Sequence, residues 1–238
     1  MKIKSKFSLF FLIFCILLLP NKLYSQACTQ FELLKAGTSY TIKNYDPKGR
    51  LTSTSKNKVL KVEKKTEGME AVIKNDITTI NNEPLGSGII KMRCEKGVMH
   101  YDLRAMLNPQ SMAEFEGMQM QMENTTLELP SNLQPGQQLS EGNLKMKINN
   151  KGINIATVEL KIYNRNVNEF EQITTEAGIF DTYKISYNTE MITTTSIPLK
   201  VLTSTVEWYS VKYGIVRSET FNRNGKPIGY SVLVEFKQ

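Results

Sequence analysis

"MAEFEGMQMQMENTTLELP", residues 112–130, decides how this chain is read. Met118, Met120 and Met122 stand at every second position, with Gln119, Gln121 and Glu123 around them. Side chains alternate between the two faces of a strand, so the stretch either presents three thioethers together or forms the apolar face of a half-buried strand. Thioethers suit copper(I), and Met112 or His100 could add a ligand. Methionine also fills irregular gaps in cores, and the polar residues between are what the wet face of a strand requires, so packing is preferred over copper. In "NTTLELP" the apolar positions move to Leu127 and Leu129, both odd-numbered. The pleat must therefore slip between Asn124 and Thr126, which predicts a bulge.

Just upstream the pattern changes. Asn108-Pro109 supplies an N-cap and a first-turn proline, Gly117 a stop, and "PQSMAEFE" between them reads as one short helix. Met112 and Phe115, three apart, share a face that would dock it on the apolar side of a sheet. With Met118, Met120 and Met122 they are the candidate ligand-contacting residues.

Beyond this segment the chain is a succession of Val-, Ile-, Thr- and Tyr-rich runs closed by turn signals, the pattern of an antiparallel β protein. Asp46-Pro47-Lys48-Gly49, Glu95-Lys96-Gly97, Glu176-Ala177-Gly178 and Asn222-Arg223-Asn224-Gly225 each separate two such runs. Short loops favour a meander over parallel crossovers. Alternation puts Ile179, Tyr183, Ile185 and Tyr187 on one face and Thr182, Lys184 and Ser186 on the other. In the last run it sets Tyr230, Val232, Val234 and Phe236 against Ser231, Leu233 and Glu235. The expected fold is all-β: a large, curved antiparallel meander sheet, half-barrel like, with one short helix packed on its apolar face. Two stacked sheets are the alternative.

Lys2, Lys4 and Lys6 precede the apolar run "FSLFFLIFCILLL", and "NKLYSQ" follows Pro20. That is the layout of a secretory signal peptide, and the run is short of the roughly 20 apolar residues a membrane span needs. Cleavage after Ser25 would leave residues 26–238 as a single all-β domain, periplasmic or secreted, with no transmembrane span. A lipoprotein-type modification of Cys28 is a minor alternative, since "SQA" lacks the usual aliphatic residue. Removing Lys2, Lys4, Lys6 and Lys22 takes 30 basic residues to 26 against 23 acidic, a net charge of +3 rather than +7. The basicity is largely export signal, which argues against nucleic acid as a partner. Cys28 and Cys94 then remain as a disulfide candidate in an oxidising compartment, two free thiols being the alternative.

Chemistry is thinly supplied. His100 is the single histidine and alternates with Met99 and Tyr101 on an ordinary mixed strand. No nucleophile elbow, phosphate loop or dinucleotide fingerprint is present, so no catalytic residue and no cofactor is assigned. One histidine and two cysteines do not make a conventional zinc site. Carboxylate pairs such as Glu114 with Glu116 and Glu169 with Glu171 keep an envelope hydrolase as an alternative.

"TTEAGIFDTYKISYNTEM" (174–191) and "VEWYSVKYGIVRSETFNRNGKPIGYSVLVEF" (206–236) resemble exported β proteins of Gram-negative bacteria grouped as TapB-type or DUF-like families. The shared positions are Thr174, Thr175, Ala177, Gly178, Phe180, Tyr183, Lys184, Ile185, Trp208, Tyr209, Gly214, Val216, Arg217, Gly225 and Lys226. "PSNLQPGQQLSEGNLKMKI" resembles the central Pro-Gly loop and strand of the same group. The resemblance implies a curved sheet distantly similar to the lipoprotein-carrier (LolA-like) fold, whose concave apolar face holds acyl chains, and it transfers no catalytic residue. Arg217 could pair with Glu219 or meet an anionic ligand. The expected function is an exported non-enzymatic protein that binds an apolar, lipid-like molecule or an envelope partner. Cu(I) binding through Met118, Met120 and Met122 is kept with the hydrolase as an alternative.

Overall fold

The computed structural model describes residues 28–107 and 117–238. The expected helix at 109–116, with Met112 and Phe115, and the signal segment lie outside them. The described chain forms thirteen strands in one antiparallel sheet that is not closed by a ladder. They are β1 (Ser39–Tyr45), β2 (Leu51–Lys65), β3 (Gly68–Thr79), β4 (Pro84–Glu95), β5 (Val98–Asp102), β6 (Gln119–Glu123) and β7 (Thr126–Pro130). Then follow β8 (Gly142–Asn150), β9 (Ile153–Thr175), β10 (Gly178–Thr194), β11 (Pro198–Ser210), β12 (Gly214–Asn222) and β13 (Pro227–Lys237). The order across the sheet is β6-β8-β9-β10-β11-β12-β13-β1-β2-β3-β4-β5-β7. Neighbours in sequence are mostly neighbours in space, as the short turns require. Lys96 and Gly97 both take positive φ (50° and 83°), the twist-matching geometry of a tight hairpin.

The position of β6 and β7 proves the curvature. They sit at opposite edges of the sheet, yet only Asn124 and Thr125 separate them. A flat thirteen-stranded sheet would be roughly 58 Å across, whereas Glu123 and Thr126 can be at most about 11 Å apart. The sheet must curl until its two edges face each other. The slip expected at 124–126 is therefore no bulge: the chain leaves one ladder, against β8, and joins another, against β5. Asn124, at φ 53°, makes the corner.

The edges are pinned by side chains instead of a ladder. Leu127 of β7 lies against Gly142 of β8, where a Cβ would come within 2.5 Å of its Cδ1. Arg165 of β9, only 2% exposed, donates Nη1 to the Glu128 carbonyl of β7 (3.0 Å) and to the Ser140 carbonyl (2.6 Å). A buried guanidinium thus takes up a carbonyl that the unclosed edge leaves over.

Hairpin turns alternate between the two ends of the curled sheet. At one end the N-terminal arm plugs the interior. Cys28, Phe31, Leu33 and Leu34 are buried, the Glu32 amide donates to the Lys212 carbonyl, and Leu33 fills the space left by Gly214. Cys28 and Cys94 are disulfide-bonded with Cα atoms 5.8 Å apart, tying the arm to β4. The plug at this closed end is thus the arm, with a single 3-10 turn at Glu32–Leu34. Among the described residues no helix is long and apolar enough to cross a membrane.

Two alternations expected from the sequence fail in part. In β10, Ile179 is 65% exposed and Thr182 fully buried, the reverse of the expected faces, where the strand runs past its last pair with β11, Tyr183 with Tyr209. β13 slips by one residue against β1, so Tyr40 pairs with Phe236 while Ile42 pairs with Leu233. Leu233 and Phe236 consequently share the side of Tyr40 and Ile42, and Tyr230 and Val232 go to the other.

Candidate binding cleft

The interior face is fixed by a contact across the sheet. Tyr101 of β5 and Tyr209 of β11 share a hydrogen bond of 3.2 Å although many strands separate them, so both point inward. Cross-strand partners lie on the same side of a sheet, and register carries the assignment outward from Tyr209. Glu207, two residues on, pairs with Ile185 on one side and Ser218 on the other; the row continues through Ser231, Asn44, Ser53 and Thr79. One step nearer the open end stand Tyr187, Thr205, Thr220 and Gly229. Asn57 and Asn75 pair on the same face one step deeper than Ser55.

The interior is therefore divided. Towards the closed end it is filled by Phe31, Leu34, Ile73, Met99 and Tyr209, all essentially inaccessible. Towards the open end it carries hydroxyls and amides on β1–β3 and β11–β13, whereas β8 and β9 stay apolar there, with Met146, Ile148, Ala156, Val158 and Leu160 buried. Asn75 Nδ2 donates to Ser55 Oγ (2.6 Å) and Asn57 Oδ1 (2.7 Å), Asn44 Nδ2 donates to Ser53 Oγ (3.0 Å), and Ser218 and Ser231 share a bond of 2.8 Å. A shallow cleft of about 320 Å3 opens on this surface, lined by Asn44, Ser218, Thr220, Gly229 and Ser231 with Tyr45, Ile228 and Tyr230.

At the boundary sits Glu207, which accepts a 2.6 Å hydrogen bond from the Tyr187 hydroxyl. Burial raises its carboxyl above the ordinary range, while the Tyr187 bond and the charge of Arg165 act the other way. Burial likewise lowers the Arg165 guanidinium and pushes the Tyr101 and Tyr209 hydroxyls well up. A carboxylate held by a phenol, with a guanidinium's charge acting on it, can accept a hydrogen bond from a ligand; glycoside hydrolysis needs a second carboxylate, and none among the described residues is hydrogen-bonded with it.

Residues expected to matter from the sequence fall elsewhere. Met120 and Met122 pair with Ile148 and Met146 and, with Met118, pack half-buried against the core. They do not line the cleft. His100 faces away from the interior between Arg93 and Glu128; its ring nitrogens are 4.0 Å from Glu95 and 3.7 Å from Glu128. Burial and the Arg93 charge lower its basicity, with the two carboxylates opposing. Glu169 is held by Lys184 (2.7 Å) and Glu171 by the Trp208 indole (2.7 Å). Arg217 pairs with Glu219 at 2.7 Å and stacks between Trp208 and Tyr230. Among the described residues no group of three or more His, Cys, Asp or Glu could hold a metal ion.

Glu207 and Arg165 carry no motif, and sequence reading passed over them. A periodic signal marks the polar part of the inner face beside the cleft: Ser53, Ser55 and Asn57 in β2, with Thr203, Thr205 and Glu207 in β11, are polar residues at every second position, as are Ser218 and Thr220 in the cleft itself.

A family model described as DUF3108-like matches residues 35–233. The chain belongs to the DUF3108-like family. That match spans β1 through β12 entirely and most of β13, so the curled sheet is its unit. Two solved structures are similar to this DUF3108-like chain. One is a candidate lipoprotein from Parabacteroides distasonis, 26% identical, with a TM-score of 0.72 over 87% of this chain and 98% of that one. The other is a candidate exported protein with a YmcC-like fold from Bacteroides fragilis, 24% identical, with a TM-score of 0.70 over 87% and 99%. No curated protein matches.

Proposed function

We propose that this DUF3108-like protein is an exported, non-enzymatic binding protein of the cell envelope that receives a ligand at the open end of its curled sheet. The part of the ligand held there is hydroxyl- or amide-rich, as in an envelope glycan or the head of a glycolipid. The observation that carries this reading is the continuous inner-face row Glu207, Ser218, Ser231, Asn44, Ser53 and Thr79, of which Ser218, Ser231 and Asn44 line the cleft. Neutral donors and acceptors with one carboxylate suit a polyhydroxylated ligand, whereas an acyl chain would leave them unsatisfied. Export is supported by the basic and apolar N-terminal segment, by the Cys28–Cys94 bond and by similarity to a candidate lipoprotein. The lipid-like ligand implied by the carrier resemblance fits this cleft through its polar head, since side chains already fill the closed end.

Extraction of the purified protein followed by mass spectrometry, with titration of a glycan panel by calorimetry, tests the proposal. Saccharide-bearing species that bind the natural protein and not a Ser218→Val/Ser231→Val variant are expected. Copurified free fatty acid alone, retained equally by the variant, would overturn it.

A further inference from the structure

The two ends of the curled sheet differ in surface as well as in filling. The turns at the open end span residues 45–51, 79–84, 150–153, 194–198 and 222–227, and those at the closed end 65–68, 95–98, 175–178 and 210–214. Because an antiparallel meander reverses at every strand, each set converges on one rim. The open rim exposes Ile80, Ile153, Ile197, Leu199 and Ile228, with Ile197 78% and Ile153 70% accessible, against Ile179 beside the closed-end turns. Large aliphatic side chains so exposed, and grouped on one rim, mark an interaction surface.

Charge identifies the partner. The open-end turns and the strand starts beside them carry six basic residues (Lys48, Arg50, Lys151, Lys200, Arg223, Lys226) against two acidic ones, Asp46 and Glu83. Arg50 pairs with Asp46 and Lys200 with Glu190, which leaves Lys48, Lys151, Arg223 and Lys226, against Glu83, without an ion pair among the described residues. The closed-end turns balance three basic residues (Lys65, Lys96, Lys212) against three acidic ones (Glu67, Glu95, Glu176). Aliphatic tips ringed by unpaired cations complement a layer of anionic headgroups over hydrocarbon. A water-soluble polyanion would use the cations and leave the isoleucines unexplained, and a purely apolar partner would do the reverse.

We propose that the open rim docks on an anionic lipid bilayer, with Ile153, Ile197 and Leu199 entering the interface and Lys48, Lys151, Arg223 and Lys226 meeting the headgroups. The cleft then opens towards the membrane surface, while the disulfide-tied arm is held at the far end. This goes beyond the ligand reading and can stand or fall without it.

Flotation of the full mature protein with vesicles of phosphatidylcholine mixed with phosphatidylglycerol, against phosphatidylcholine alone, is the test. Mixed vesicles should bind at least about tenfold better, with the preference lost in high salt. An Ile153→Ser/Ile197→Ser/Leu199→Ser variant and a Lys151→Glu/Lys226→Glu variant should each lose about tenfold in vesicle binding while keeping glycan binding in the cleft. These are exposed positions, and an unchanged circular dichroism melt verifies folding. Equal binding to neutral vesicles, no binding by the natural protein, or variants that bind as well would overturn the proposal. So would light scattering showing that the serine variant merely dissociates a dimer.

Discussion

In β2 and β11 the closed and open halves of the interior are built by the same strand and carry opposite surfaces. In β11, Tyr209 is fully buried beneath the N-terminal arm, while Thr203, six residues towards the open end on the same face, is only partly covered. In β2 the contrast lies between Val59, buried in the core, and Ser53. In β2 and β11 stability and recognition are thus divided along the strand, whereas β8 and β9 stay packed to their open ends, with Ile148 and Ala156 buried. Changes at the closed end and along the seam should therefore cost stability, and changes at the mouth should cost binding.

The largest effect is expected from opening the closed end. Reducing the Cys28–Cys94 bond, or replacing both cysteines by serine, frees a loop with a sequence separation of 66 residues. The chain-entropy model gives about 4 kcal/mol of lost stability, measurable as a lower urea midpoint, with little loss of ligand affinity. Next comes the seam. Arg165→Met removes the donor to the part-buried Glu128 and Ser140 carbonyls and loosens the seam it spans. Denaturant melts should show a loss of about 3 kcal/mol. Gly142→Ala sets a Cβ 2.5 Å from Leu127 Cδ1 and should cost about 1–3 kcal/mol by overpacking. If either seam variant were neutral, the edges would be held by something other than these contacts.

A pH experiment sharpens the boundary between the halves. The Glu207 carboxyl is raised in the folded state, chiefly by burial, so the folded protein binds its proton more tightly than the unfolded chain does. Its contribution to stability is present below the ordinary carboxyl value and is lost as pH rises through the raised one. Glu207→Gln should flatten that decline in a series of melts across the acid range. An unchanged slope would mean that Glu207 is solvated like the rest of the mouth. The smallest effect on folding belongs to the mouth itself: Ser218→Val/Ser231→Val should alter stability by less than about 1 kcal/mol while abolishing ligand binding.

Much of this arrangement was legible in the sequence. Turn chemistry at Asp46–Gly49, Glu95–Gly97 and Asn222–Gly225 placed the hairpins, because φ constraints are local. The alternation of Tyr183, Ile185 and Tyr187 assigned the inner face of β10 where it pairs with β11, but not beyond that pairing, where Ile179 is exposed and Thr182 buried. Two things were out of reach. Edge pairing is non-local, so Met118–Met122 and Leu127–Leu129 read as one bulged strand although they belong to opposite edges of the sheet. The slip in β13 is imposed by its partner β1, and nothing within "PIGYSVLVEF" announces it. The site was obscured for a different reason. Serine, threonine and asparagine at alternate positions look the same whether they face bulk water or a cleft, and only the contact of Tyr101 with Tyr209 tells which side is the inside.

The most direct test compares thiol accessibility at two interior positions, Ser218→Cys in the mouth and Met99→Cys in the closed half, with the native cysteines bonded to each other. Rates of maleimide labelling under native conditions are read by mass spectrometry. The division of the interior predicts that Ser218→Cys reacts at nearly the rate of a free thiol and Met99→Cys only on unfolding. Equal protection at both positions would contradict it.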